Sequence, residues 1–207
     1  MPNVNMVESA NAAAVADWLE QRLARALSET EGSVAITVPG GSTPFPIFEE
    51  LVQRELDFAR LLVWPGDDRI VPEDHPASNT GKIRALFEQV GAEVVTLTEM
   101  EQVPHFAIAW LGMGADGHIA SLFPNTDPKS DDPLAMRRLT PDPLPPEAPF
   151  DRITLTMPSL LASDEILFTL GGSAEKRELF EAAARDENDL PIARFLAASR
   201  QPVTCFA

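Results

Sequence analysis

Residues 111–124 read LGMGADGHIASLFP, and the fold turns on how their glycines are taken. Gly112, Gly114 and Gly117 satisfy G-x-G-x-x-G, the fingerprint of a dinucleotide-binding turn. The fingerprint has meaning only inside a βαβ unit. It needs a strand before it, a helix after it, and a second strand carrying an acidic residue about 20 residues on. The strand is present, because FAIAWLG (residues 106–112) is an unbroken apolar run. The helix is not, because Pro124 cuts HIASLFP short. The second strand would fall on SDDPLAM (residues 130–136), which has no strand pattern. The glycines therefore read as a tight turn closing a strand, and a nicotinamide cofactor is set aside.

Such a turn exposes backbone N–H groups, Gly114 among them, to an anion or to a developing oxyanion. His118 follows it and can serve as a general base near neutral pH. Asp116, two residues earlier, can hold or polarise the imidazole. The plainer reading is a surface turn with a solvated histidine. A metal half-site is not supported, since no cluster of further His or Cys residues accompanies the Asp-x-His spacing.

Outward from this turn, strands and helices alternate. Residues 11–27 carry Val15, Trp18, Leu19, Leu23, Ala26 and Leu27 on one helical face. VAITV (Val34–Val38) is a buried strand. TPFPIFEELVQREL (residues 43–56) resumes helical spacing, with Pro44 and Pro46 limiting where it starts. ARLLVWPGDD (59–68) is a second strand entering a polar loop that runs to Gly81. KIRALFEQV (82–90) is a helix, EVVTL (93–97) a strand, and 106–112 the third well-marked strand. Residues 127–150 are irregular, with five prolines in the nine residues 141–149, and read as a surface loop. RITLTM, EILFTL and PVTCFA are strands, while PSLLAS, AEKRELFEAAA and PIARFLAAS are helices. The pattern predicts an α/β fold, three-layered and Rossmann-like, with a mostly parallel sheet between helices.

In such sheets, ligands sit beyond the carboxyl ends of the strands. GGSTP, GDDR, GMGADGH and GGSAEK each follow a predicted strand, so all four should gather on one rim. GGSTP lacks the last glycine of a nucleophile elbow and the lysine of a P-loop. Gly40, Gly41, Ser42 and Thr43 remain as donors to a phosphate, or as a helix cap worth about 1 kcal/mol. GDDR offers Asp68 and Arg69, the latter able to clamp an anion bidentately. Lys176 sits near a helix start, where a structural lysine is disfavoured by the dipole, with Arg177 beside it.

The bulk composition excludes several classes. A formal net charge of −16 and a pI near 4.5 repel nucleic acid and anionic membranes. The opening decapeptide MPNVNMVESA has neither the basic region nor the apolar core of a secretory signal. One cysteine, Cys205, precludes an internal disulfide and reads as a buried thiol. A cytoplasmic location is the default expectation.

PGGSTP, WPGDDRIVPEDHPASN, LGMGADGHIASLFP, RITLTMP and GGSAEKREL occur in the order and approximate spacing of the 6-phosphogluconolactonases. The resemblance runs over nearly the whole chain, and GMGADGHIASLFP is its most specific part. Glucosamine-6-phosphate deaminases share the GGSTP-like and D-G-H turns, but SLFP follows the histidine here, as in the lactonases. Asp68 stands where the family more often has glutamate, and the family's G-x-x-K is one residue longer at Lys176. The resemblance implies a fold of the deaminase, ribose-5-phosphate isomerase and CoA-transferase type, with residues 1–207 as one domain. It implies hydrolysis of 6-phospho-D-glucono-1,5-lactone in the oxidative pentose phosphate pathway, without metal or other cofactor. By motif, it makes His118 the base with Asp116 beside it, Arg69 and Lys176 the substrate and phosphate ligands, and Gly41–Thr43 the phosphate-side turn. A monomer or weak homodimer is expected. The rival readings are a sugar-phosphate deaminase or isomerase, and a sugar-phosphate-binding regulator without catalysis.

Overall fold

The computed structural model describes residues 4–8, 10–146 and 148–207. Residues 1–3 and 9 of the opening decapeptide, and Glu147 of the proline-rich stretch, lie outside the described residues.

The core is a seven-stranded sheet, every neighbouring pair parallel. Its strands are β1 (Val4–Val7), β2 (Val34–Val38), β3 (Leu61–Pro65), β5 (Glu93–Val94), β6 (Phe106–Leu111), β9 (Ser163–Thr169) and β10 (Val203–Phe206), in the order β1-β10-β9-β6-β2-β3-β5. All five residues of β2 are buried, as a strand covered on both faces requires. Side chains alternate across the sheet. Ile36, Val38 and Trp110 point to one face; Ala35, Ala109 and Leu111 point to the other.

The first face is covered by α1 (Ala12–Glu29), α2 (Phe45–Leu51) and α3 (Asn79–Phe87). The α1 helix starts where Asn11 Oδ1 accepts from the N–H of Ala14 at 2.9 Å, satisfying a donor the first turn leaves free. Its buried Val15, Leu19, Leu23 and Leu27 recur every fourth residue. Phe48 packs edge-on against Phe87 and Trp110, with centroids at 5.3 and 5.0 Å. The second face is covered by α4 (Met157–Leu161), α5 (Ala174–Ala184) and α6 (Pro191–Ala198). A small antiparallel sheet, β4 (Asp67–Arg69), β8 (Arg152–Leu155) and β7 (Met136–Leu139), packs beside them. Gly66 hinges the two sheets: its N–H donates to Val38 O, and its carbonyl accepts from Leu155 N, both at 2.9 Å.

The structure corrects several boundaries. RITLTM is a strand, but in the antiparallel sheet, paired with GDDR and with residues 136–139 of the supposed irregular segment. EVVTL shrinks to two residues on the sheet edge. The second helix ends at Leu51, where successive N–H groups of residues 53 and 54 bond three residues back and tighten the last turn. The polar loop after Trp64 is partly β4, and its last residues open α3. Among the described residues, no helix is long and apolar enough to cross a membrane.

From β2 the chain builds outward through β3 and β5, then returns to place β6 on the other side of β2. The strand order reverses between β2 and β6, and a crevice opens there beyond their carboxyl ends.

Candidate active site

The four strand-end motifs meet in one cleft of about 460 Å³. Gly40–Thr43 come from the loop after β2, Asp67 and Arg69 from β4, Gly114 and His118 from the turn after β6, and Lys176 from α5. The expected gathering on one rim is what the parallel sheet produces.

The turn after β6 is held by its own backbone, so the Gly114 N–H, expected to face an anion, is already taken. Gly114 N donates to His118 O at 2.9 Å, and Gly117 N donates to Gly114 O at 3.1 Å. Gly117 has φ +79°, and a Cβ there would lie 2.9 Å from Leu190, so this corner needs a residue without a side chain. The turn brings His118 back over Asp116. Nδ1 lies 2.6 Å from Asp116 Oδ1, which also accepts from the His118 N–H at 3.2 Å. The hydrogen bond from His118 Nδ1, chiefly, holds the Asp116 carboxyl below its ordinary range. An ionised Asp116 accepts only, so neutral His118 carries its proton on Nδ1 and leaves the Nε2 lone pair free. Phe123, from SLFP, packs on the imidazole with centroids 4.7 Å apart. A Cβ on Gly114 would fall 2.2 Å from the ring and 2.7 Å from Asp116 Oδ1. The glycine makes room for the pair.

GDDR divides its three charged residues. Asp68, expected to contact the ligand, turns away from the cleft. It is buried, and its carboxylate accepts from Asn79 N at 2.6 Å, Thr80 N at 2.9 Å and Ser78 Oγ at 3.1 Å. It anchors the start of α3. Strand alternation sends its neighbour Asp67 to the opposite side, into the cleft. Asp67 Oδ2 accepts from Ser121 Oγ at 2.5 Å. Burial raises the Asp67 carboxyl, and the Ser121 bond and the Arg69 charge only partly offset it. Arg69 faces the cleft with one guanidinium nitrogen fixed: Nη1 donates to Ala77 O at 2.9 Å and Asn79 Oδ1 at 3.2 Å. Its Nε is buried without a partner among the described residues, while Nη2 has no protein acceptor there.

On the other side of the cleft, Gly41 (φ +86°) turns the chain. Among the described residues, no protein acceptor takes the N–H groups of Gly41, Ser42 or Thr43. Neither hydroxyl caps α2, whose N-cap is Pro44, so the capping alternative is excluded. Lys176 lines the cleft and has no carboxylate partner among the described residues. Arg177 is turned outward, paired with Glu8 at 2.6 Å and Glu181 at 2.8 Å. The other two lysines are elsewhere: Lys129 pairs with Asp127 at 2.6 Å, and Lys82 is exposed on α3. The described residues of the proline-rich loop do not line the cleft.

The cleft thus holds every expected site residue except Asp116, which lies behind His118, and Asp68. Asp67, Ser121 and Asn79 were missed by reading the sequence. Asp67 was within reach, because two adjacent residues of one strand cannot face the same way. Ser121 and Asn79 carry no local signal, since their partners come from other elements. Among the described residues, no group of three or more His, Cys, Asp or Glu side chains is placed to hold a metal ion.

The family model described as glucosamine-6-phosphate isomerases/6-phosphogluconolactonase matches residues 7–100 and 85–204. A 6-phosphogluconolactonase of Pseudomonas aeruginosa is 34% identical over 88% of this chain and 84% of that protein. One from Neisseria meningitidis serogroup A is 30% identical over 96% and 95%. The crystal structure of a 6-phosphogluconolactonase from Shewanella baltica superposes with TM-score 0.82 at 25% identity, covering 98% of this chain and 97% of that one. One from Thermotoga maritima gives TM-score 0.80 at 22% identity with the same coverage, a likeness of fold.

Proposed function

The chain belongs to the glucosamine-6-phosphate isomerase/6-phosphogluconolactonase family, and on that premise we propose that it hydrolyses 6-phospho-D-glucono-1,5-lactone to 6-phospho-D-gluconate. One observation carries the reading. A histidine with Nδ1 fixed by a carboxylate opens onto a cleft that also holds an arginine, a lysine and an unsatisfied glycine-serine-threonine turn.

His118 Nε2 takes a proton from water as the water oxygen attacks the lactone carbonyl carbon. The carbonyl oxygen takes up negative charge and is stabilised by the free N–H groups of Arg69. The bond from that carbon to the ring oxygen breaks. His118 delivers its proton to the departing ring oxygen, which becomes a hydroxyl, and the new carboxylic acid ionises. Asp116 keeps the imidazole in one tautomer and steadies its charged form. The phosphate lies between the Gly41–Thr43 turn and the Lys176 ammonium. A positioned base contributes about 10²–10⁴ in rate, and a base with an oxyanion contact suffices for an ester as reactive as a lactone. No covalent nucleophile is required.

The test is His118→Ala, assayed with lactone generated in situ by a dehydrogenase and corrected for spontaneous opening. The variant should lose most of its acceleration; retention of it refutes the assignment. The deaminase alternative predicts ammonia from glucosamine 6-phosphate, and none is expected. The same reading has residues 1–207 act as one domain in the cytoplasm, as a monomer or weak homodimer, which gel filtration and light scattering would check.

A further inference from the structure

Asn79 is 3% exposed, and both ends of its side-chain amide are used. Oδ1 accepts from Arg69 Nη1 at 3.2 Å, and Nδ2 donates to the backbone carbonyl of Asp67 at 3.1 Å. Only one orientation of the amide serves both partners, because the arginine can only donate and the carbonyl can only accept. The third attachment is main-chain: Asn79 N donates to the buried Asp68 carboxylate at 2.6 Å. The flat face of the amide lies against Gly40, where an added Cβ would sit 2.2 Å from its carbon, oxygen and nitrogen alike. One side chain therefore touches the GDDR segment at two points and the GGSTP loop at a third, between two walls of the cleft.

We propose that Asn79 is a positioning residue for the hydrolysis: it sets the azimuth of the Arg69 guanidinium and the separation of the Arg69 and Gly40 walls. The inference rests on the reading of Arg69 as a substrate contact. Arg69 has two intramolecular acceptors for Nη1, and Nε has none. Without Asn79 Oδ1, only Ala77 O restrains Nη1, and the planar fork can swing about that single bond. A displacement of about 1 Å in a positioning group costs on the order of 10²-fold in rate. The amide cannot be replaced by its longer homologue, since Gly40 occupies the space that another methylene would need.

The experiment is a double-mutant cycle on the full chain with Asn79→Leu, Arg69→Ala and the pair, reading kcat and KM separately and following thermal melting. Leucine keeps the volume and removes both hydrogen bonds. Asn79→Leu should lower kcat/KM by about 10–100-fold, and in the Arg69→Ala background it should add little. Asn79→Ser, smaller and still polar, is the second variant should the leucine protein not fold, and it should show the same non-additivity. Two outcomes overturn the inference alone: an Asn79 variant with near-wild-type kcat/KM beside a crippled Arg69→Ala, or losses that multiply in the double variant. Wild-type activity in Arg69→Ala would overturn the assignment of Arg69, and the inference with it.

Discussion

Gly114→Ala tests the histidine assignment without touching a titrating or hydrogen-bonding side chain. The new Cβ would lie 2.2 Å from the His118 ring and 2.7 Å from Asp116 Oδ1, well inside contact distance. The ring has little room elsewhere, because Phe123 packs on it at 4.7 Å between centroids and the His118 carbonyl is bonded to Gly114 N. It must shift by about 1 Å, which breaks the 2.6 Å bond to Asp116. A shift of that size at a catalytic base costs on the order of 10²-fold, or about 2.7 kcal/mol of barrier. Stability should change little, since the strain of the shift is set against the ~0.4–1 kcal/mol that alanine gains over glycine by restricting the unfolded chain. The assay is lactone opening with substrate generated in situ, at saturating and limiting concentrations and corrected for the uncatalysed rate. The drop should appear in kcat, and His118→Ala should add nothing further in the alanine background. A folded Gly114→Ala protein with wild-type kcat would refute the claim that the His118–Asp116 geometry carries the rate.

Two further predictions follow from the charges around the cleft. Lys176→Ala should raise KM for the phosphorylated lactone by roughly 10–100-fold, the worth of a charge-assisted bond, while leaving the unphosphorylated lactone unaffected. Arg177→Ala should leave KM alone and lower the melting temperature only slightly, as surface pairs do; the reverse pattern would exchange the two roles. Asp67→Asn should melt no lower than the wild type at pH 7. The sign follows from the raised folded-state carboxyl. The native state then binds a proton more tightly than the unfolded chain, so stability falls as pH rises from the ordinary carboxylate range toward the raised value, and the protein at pH 7 carries a penalty from this group. The asparagine removes it, and a melting temperature clearly below wild type at pH 7 would contradict the argument.

Much of the fold was legible because apolar runs and helical stripes dominate it. Val34–Val38 is buried at all five positions, and residues 174–184 form the helix that AEKRELFEAAA suggests. One short strand, β1, escaped notice, and another, β5, was drawn too long. The β1 strand is four residues long and the edge strand β5 only two, so both gain their structure from partners rather than from pattern. The antiparallel sheet was hidden because GDDR and the residues around Met136 look like loop until β8 lies between them. In the site, His118 and Asp116 were readable from a turn whose chemistry is local. Asp68 was not: its role depends on Ser78, Asn79 and Thr80, which no local pattern ties to it.

The strand order also governs the sequence of events by which the molecule can assemble. Among the described residues, the β1 strand pairs only with β10, Val4 lying opposite Val203. The β1 strand therefore stays unpaired until β10 docks. Meanwhile the cleft waits on β6 docking beside β2 and on the loop after β9. Recovery of lactone-opening activity during refolding should therefore report the docking of β6 and of the loop after β9, while closure of the β1–β10 edge is a separate event.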